Sequence, residues 1–173
     1  MKSAEHLTRA IVRSLLANPT LEPEISINSE GTRGQLFSVE IDTRPFDPAP
    51  IIGSGGTMKF AIQTALAGTY TPAIWDINFR TVGTLKSPKL RGAKPDPAVF
   101  EPVMAALVNH WRADGRLAQS KVESSETAVV CILTLDASLA NAQRAALSRL
   151  IRGIGLANGF RATCIVEKAE AMA

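Results

Sequence analysis

The chain has 173 residues, of which 46% are hydrophobic and 20% charged, a composition that indicates a globular rather than a disordered protein. The length is enough for one medium domain or two small ones. The net charge of +3 is a weak basic bias for a phosphate-binding protein, because neutralised phosphates supply much of the affinity in that class. The charge is unevenly distributed. Residues 1–80 have a net charge of −1 (seven basic and eight acidic residues), and residues 81–97 have a net charge of +3 (four basic residues and one acidic residue). Residues 98–173 have a net charge of +1 (eight basic and seven acidic residues).

The sequence pattern carries no signature of a membrane protein, a metal site or an enzyme. No window approaches the roughly 20 apolar residues that span a bilayer, and residues 1–6 have no apolar signal core, so we expect a cytoplasmic location. Cys131 and Cys164 form no metal-ligand or redox motif, which predicts two core thiols. His6 and His110 have no Ser or Cys partner in a recognisable motif. We therefore expect no catalysis, no metal and no cofactor.

The first 80 residues predict the order helix, strand, strand, helix, strand. Leu7, Ile11 and Leu15 recur every four residues and predict an amphipathic helix, which Asn18-Pro19 ends. Two alternating segments around a glycine-containing turn predict a hairpin. A proline-rich approach, a glycine loop, a second helix and a third strand follow. The predicted bounds are 4–17 for the first helix, 24–28 and 36–41 for the hairpin strands, about 57–68 for the second helix and 73–80 for the third strand.

Residues 81–97 contain two Gly, three Pro and four Lys or Arg, which predicts a linker or a long basic loop. The rest of the chain then repeats the order of the first half. The predicted bounds are 101–113 for a helix, a short strand at Val122, 127–135 for a strong strand, 139–156 for a long helix and 160–167 for the last strand.

Three details of the second half carry expectations of their own. The apolar run at residues 129–133 is almost continuous, which predicts a strand buried on both faces. Asp136 or Ser138 is expected to cap the long helix. Gly153 and Gly155 weaken that helix, so we expect them to permit close packing against a neighbouring element.

The most informative segment is the glycine loop between the predicted hairpin and the second helix. Glycines allow a backbone to approach a ligand closely and to adopt positive φ. The free N–H groups at the start of the following helix favour an anion there. The stretch Ile51-Ile52-Gly53-x-x-Gly56, followed by Thr57 and Lys59, resembles the Ile-Gly-x-x-Gly signature of KH domains.

The order of elements over residues 4–80 is similar to the prokaryotic, type II KH fold, and these residues resemble small bacterial single-KH RNA-binding proteins. The expected fold class is α+β: a type II KH-like domain at 1–80, a basic connector at 81–97 and a second α-β-β-α-β unit at 98–173. The second unit lacks the glycine loop, as a degenerate KH-like copy would.

The resemblance implies a site for single-stranded nucleic acid, with RNA favoured over DNA. The loop would clamp the backbone of about four unpaired nucleotides, the bases would lie in an aliphatic groove beside it, and basic side chains would reach phosphates. Ile62 would help to line the groove and Arg33 would be a further phosphate contact. The implied nucleic-acid-binding residues are Ile51, Ile52, Gly53, Ser54, Gly55, Gly56, Thr57, Lys59 and Arg44.

One departure from the family pattern and one competing interpretation remain. KH domains commonly carry Lys or Arg between the loop glycines, whereas Ser54 and Gly55 stand here, which predicts a weaker grip on phosphate. The competing interpretation is a non-catalytic assembly module that contacts protein partners, or further copies of itself, in a larger ribonucleoprotein complex.

Trp75 and Trp111 are expected in the core rather than as stacking platforms.

Overall fold

A computed structural model describes residues 2–30, 36–68 and 74–170. The described residues form a mixed α+β structure with two three-stranded sheets, four long helices and one four-residue helix. Most of the predicted hairpin turn, including Arg33, lies outside the described residues. The elements of the first half are α1 Lys2–Leu15, β1 Glu24–Glu30, β2 Leu36–Asp42, α2 Ala49–Ile52, α3 Thr57–Ala67 and β3 Ile74–Thr81. Those of the second half are α4 Glu101–Ala113, β4 Ala118–Ser124, β5 Ala128–Leu135, α5 Asn141–Ala157 and β6 Arg161–Lys168.

The two sheets have the same topology. β2 lies between β1, to which it is antiparallel, and β3, to which it is parallel. β5 lies in the same way between antiparallel β4 and parallel β6. In the first sheet Ile27, Val39 and Ile77 stand in register on the inner face. Both halves therefore follow the order that the sequence predicts, except for α2, a short helix in the proline-rich segment that the sequence pattern does not predict.

Each sheet has one buried face and one open face. Along β5, Val129, Cys131 and Leu133 are buried, whereas Val130 and Ile132 are partly exposed. The prediction that this strand is buried on both faces was wrong, because helices cover only one side of the sheet. On the open face of the second sheet, Ile132 is in register with Ile165, which is 46% exposed.

The helices of one half pack on those of the other, α1 on α4 and α3 on α5, and the buried apolar side chains form one continuous cluster. Trp111 belongs to this cluster and Trp75 lies against Phe37 with ring centroids 4.3 Å apart, so both tryptophans are in the core as predicted. The domain bounds at 80 and 98 stay predictions.

Side chains from the second half satisfy the C-terminal carbonyls of helix α3. These carbonyls have no partner within their own helix. The Trp111 indole N–H donates to the Ala65 oxygen at 2.8 Å, and His110 Nε2 donates to the Leu66 oxygen at 2.7 Å. Gln143 donates to the oxygen of Gly68 at 2.9 Å. The Asn158 side chain makes an equivalent contact at the end of α1, where it donates to the carbonyl oxygen of Ser14 at 2.9 Å.

Helix α5 packs closely at its two glycines, which confirms the expectation for them. A Cβ at Gly153 would strike the Met58 side-chain terminus, and a Cβ at Gly155 would lie 2.9 Å from the Phe160 carbonyl oxygen. The predicted cap at Asp136 or Ser138 was wrong, because the helix begins later. Its N-cap is Ala140, whose N–H donates to the Gln143 side chain at 3.0 Å.

Candidate nucleic-acid interface

The glycine loop connects α2 to α3 through three residues with positive φ. Gly53 (φ 73°) ends α2, and its N–H donates to the oxygen of Ala49 at 2.9 Å. Gly55 (φ 61°) and Gly56 (φ 78°) follow in the left-handed region. L-residues with a Cβ adopt this region at a cost of about 1–2 kcal/mol each, so the loop conformation favours glycines.

Gly53 is also held by a close approach of the backbone. A Cβ on Gly53 would lie 2.7 Å from both the amide nitrogen and the Cβ of Met58. Gly55 and Gly56 have open space around the corresponding positions. The loop is thus anchored at its first glycine and open at its other two.

The centre of the loop presents backbone donors to solvent. Ser54 and Gly55 are exposed, and no hydrogen bond among the described residues engages the N–H of either one. The N–H of Gly56 turns back to the oxygen of Gly53 at 3.3 Å. Free N–H groups directly before a helix of 11 residues favour an anionic ligand.

The isoleucines beside the loop divide between core and surface. Ile51 is fully buried and Ile62 is 1% exposed, so both support the loop from the core and neither side chain lines a groove. This corrects the lining that the resemblance implied. Ile52 is partly exposed. Phe60, one turn into α3, is 55% exposed and was missed, because apolar residues in a predicted helix are ordinarily assigned to its buried face.

The start of α3 adds one hydroxyl and one cation near the loop. Thr57 is exposed and Lys59 is partly exposed. Lys59 makes no ion pair with any described residue. No described acid therefore offsets its positive charge, and its contact with a phosphate stays a prediction.

Arg44, the other predicted cation, already has an anionic partner. Its Nε lies 3.0 and 3.1 Å from the two carboxylate oxygens of Asp42, and its Nη2 contacts Asp42 as well. Asp42 also accepts the backbone N–H of Arg44 at 3.0 Å. The side-chain and backbone hydrogen bonds from Arg44 lower the pKa of Asp42 below its ordinary value. The carboxylate offsets much of the charge that Arg44 would offer to a phosphate.

The connector, residues 81–97, is attached to both halves rather than hanging free. Leu85 exchanges two backbone hydrogen bonds with the proline-rich segment, at 2.9 Å to the oxygen of Pro45 and at 2.8 Å from the N–H of Asp47. Farther along, Ala93 donates to the oxygen of Gly159 at 3.0 Å. This result favours a packed basic loop over a flexible linker.

A groove of about 550 Å³ lies between the connector, α2, the start of α3 and the end of α5. We call it the connector groove. Much of its wall is apolar, and three exposed cations of the connector line it, together with a single acid, Asp47. Its apolar residues include Leu15, Pro50, Met58, Leu90 and Leu156, and its cations are Lys86, Lys89 and Arg91.

A second groove, of about 580 Å³, lies between α1 and α4. Its two arginines are already paired. Arg9 contacts Glu5 at 2.9 Å, and Arg13 contacts Glu22. The second groove therefore offers less free positive charge than the connector groove.

Other chemical signatures are scarce in the residues that the structure covers. Within them, no three His, Cys, Asp or Glu side chains are grouped so as to hold a metal ion. None of the described helices is long and apolar enough to cross a membrane. Cys131 and Cys164 are free thiols in register on β5 and β6.

Comparisons with known proteins add no relative. No protein-family profile matches the chain, and neither a curated protein nor a solved structure matches it significantly.

Proposed function

We propose that this protein binds single-stranded nucleic acid, RNA in the first place, through the glycine loop at residues 53–56, without catalysis. The observation that carries the proposal is the loop itself. Three positive-φ glycines expose the N–H groups of Ser54 and Gly55 directly before helix α3. Backbone donors of this kind suit a sugar-phosphate backbone, which has regularly spaced acceptors and no sequence information.

The surrounding topology supports a KH-like arrangement as part of the same proposal. The order α1, hairpin, α2, glycine loop, α3 and a strand parallel to β2 is the order of the type II KH fold. Lys59 supplies a free cation beside the loop. Arg44 contributes less, because Asp42 offsets its charge. The expected affinity is therefore modest, and it depends on salt.

The test is a binding assay with fluorescein-labelled single-stranded RNA and DNA oligonucleotides. Fluorescence anisotropy measures the binding at two salt concentrations. We expect RNA to bind more tightly than DNA and both to bind less tightly at the higher salt. The variant Ser54→Asp/Gly55→Asp places two negative charges in the loop and is expected to abolish binding. Both positions are exposed, and Asp is among the residues best tolerated at positive φ.

The matched control adds the same two charges at the start of the corresponding helix in the second half. The variant Asn141→Asp/Ala142→Asp changes two exposed residues in the first turn of α5, where acidic groups are favourable. It should bind as the wild type does. Unchanged binding by the loop variant would show that the loop is not the site.

The open face of the second sheet favours a second candidate, an assembly module. Ile165 is 46% exposed there and stands in register with the partly exposed Ile132. Such a patch suits contact with a protein partner or with another copy of the chain. Sedimentation of the wild type and of Ile165→Lys tests self-association. An assembly that the substitution dissociates, together with no binding of RNA or DNA, would favour this function over the first.

A further inference from the structure

We propose that the connector groove binds the nucleotides adjacent to those held by the glycine loop, with Lys86, Lys89 and Arg91 contacting their phosphates. The inference rests on the proposed function and extends it. The site would then hold a longer single strand than the loop alone, and the connector would be part of the binding surface.

The glycine loop and the connector groove are adjacent and continuous. Met58 lines the groove, and its amide nitrogen and Cβ lie 2.7 Å from the position of a Cβ on Gly53. Pro50 of the short helix that leads into the loop also lines the groove. A strand clamped at the loop therefore has the groove directly beside it.

The charge of the groove lining favours a phosphate ligand. Lys86, Lys89 and Arg91 are exposed, and none of them forms an ion pair with another described residue. Asp47 is the one acid among the described residues that line the groove, and it accepts the N–H of Ala49 at 2.9 Å. The net charge of the lining is thus +2. This charge complements phosphates, and it lies in the segment that holds the chain's positive excess.

The connector is held in place before any ligand arrives. It is hydrogen-bonded to the first half at Leu85 and to the second half at Ala93. It also packs on Gly159, where a Cβ would lie 3.0 Å from the carbonyl carbon of Leu90. Cations on an ordered segment lose less conformational freedom on binding than cations on a free tail.

The apolar wall selects a single strand rather than a duplex. Leu90 is 42% exposed and Leu156 is 64% exposed, and both line the groove. An unpaired nucleotide offers its base face to such side chains and its phosphate to the cations. A duplex keeps its bases stacked and paired, so it cannot use the apolar wall.

The test compares two labelled uridine oligonucleotides, of four and ten nucleotides, on the full chain. The variant Lys86→Ala/Lys89→Ala/Arg91→Ala should bind the ten-nucleotide RNA at least tenfold more weakly than the wild type. Its affinity for the four-nucleotide RNA should change less than twofold. For the longer RNA, the slope of log K against log salt should fall by about 2, since three single-strand phosphate contacts contribute about 0.7 each.

A second variant and a matched control separate the groove from a general charge effect. Leu156→Glu adds an acid on α5 at the opposite wall and should selectively weaken the ten-nucleotide complex too. The control Lys121→Ala/Arg161→Ala/Lys168→Ala removes three exposed cations from the second sheet. It should bind both oligonucleotides as the wild type does.

The possible failures are distinguishable. If the wild type binds neither oligonucleotide, the proposed function fails and this inference falls with it. If the loop variant Ser54→Asp/Gly55→Asp abolishes binding while the connector variant and Leu156→Glu leave the ten-nucleotide complex unchanged, the function stands and the groove assignment is overturned. Equal losses for the two oligonucleotide lengths would also overturn it.

Discussion

The indole N–H of Trp111 donates to the carbonyl oxygen of Ala65 at 2.8 Å, across 46 residues of sequence. Ala65 lies in the last turn of α3, the helix that follows the glycine loop, and Trp111 belongs to the second half. The side chains that satisfy the last carbonyls of this helix thus come from the second half of the chain. The helix that follows the glycine loop is therefore tied at its far end to a half that has no glycine loop of its own.

Trp111→Phe should lower the free energy of unfolding by about 1–3 kcal/mol, because it leaves the buried carbonyl of Ala65 without its side-chain donor. Urea denaturation followed by circular dichroism measures this change. Trp75→Phe is the control, since it makes the same ring substitution where the indole N–H has no hydrogen-bond partner among the described residues. Equal losses for both variants would show that ring volume, and not the hydrogen bond, is responsible.

Substitution of the loop glycines should have graded effects on stability. Gly55→Ala should cost about 1–2 kcal/mol, because only its positive φ opposes a Cβ. Gly53→Ala should cost more, since its Cβ would also collide with the backbone of Met58. Thermal and urea unfolding of the two variants provide the measurement. An equal or smaller loss at Gly53 would contradict the close approach.

The two glycines of α5 should respond differently to the same substitution. At Gly153 an added methyl meets the flexible end of Met58, which can move, and alanine gains about 1 kcal/mol of helix propensity. Gly153→Ala should therefore leave stability within about 1 kcal/mol of the wild type. Gly155→Ala should cost about 1–3 kcal/mol, because its methyl meets the Phe160 carbonyl and Ala162. The urea midpoints of the two variants measure the two losses of stability. A larger loss for Gly153→Ala than for Gly155→Ala would contradict the packing described for the two glycines.

Asp42→Asn should strengthen binding of nucleic acid if the proposed function holds. The substitution removes the carboxylate that offsets the charge of Arg44, and the guanidinium is then free for about one phosphate. The affinity for RNA should rise, and the salt slope should steepen by about 0.7. In the double variant Asp42→Asn/Arg44→Ala this gain should disappear. A gain that persists without Arg44 would have another origin.

The two thiols predict a loss of stability at alkaline pH. Burial raises the pKa of Cys131 to about 12, with a further contribution from Cys164, and burial raises the pKa of Cys164 to about 11. Both folded values exceed the ordinary value of 9.0, so the unfolded chain releases its protons first. The thiol contribution is fully present below pH 9. It is lost as pH rises towards 11–12, by at most about 1.4 kcal/mol per pH unit for each thiol.

Urea titrations between pH 8 and 10.5 measure this loss. In Cys131→Ala/Cys164→Ala the absolute stability changes, because a cavity forms, but the slope with pH should become shallower. A slope equal to that of the wild type would mean that other groups cause the alkaline loss.

Local features of the sequence predicted much of the fold. The helix at 101–113 and most strand bounds follow from the spacing of apolar residues, and the loop follows from its glycines, whose backbone no other residue adopts cheaply. The burial of β5 was overpredicted, because an apolar run does not reveal whether a second layer covers it. The short helix α2 was not predicted, because the prolines around it are typical of irregular segments.

The candidate site was predictable only in part. The ion pair between Arg44 and Asp42 could have been predicted, because the two opposite charges are two residues apart in the sequence. The connector groove was not, because it forms only when residues 86–91 meet Met58 and Leu156 from distant parts of the chain. The connections from His110, Trp111 and Gln143 to α3 span 44, 46 and 75 residues, beyond the range of any local pattern.

These long-range hydrogen bonds form only after both of their partners have been synthesised on the ribosome. The end of α3 is translated well before the residues that complete it, and Gln143 follows Gly68 by 75 residues. At about 5–20 residues per second, that interval lasts roughly 4–15 s. During this time the carbonyl of Gly68 lacks its Gln143 donor, whereas His110 and Trp111 are synthesised earlier, 44 and 46 residues after their partners. A translation product truncated before Gln143 would contain the glycine loop but lack the side chain that donates to Gly68.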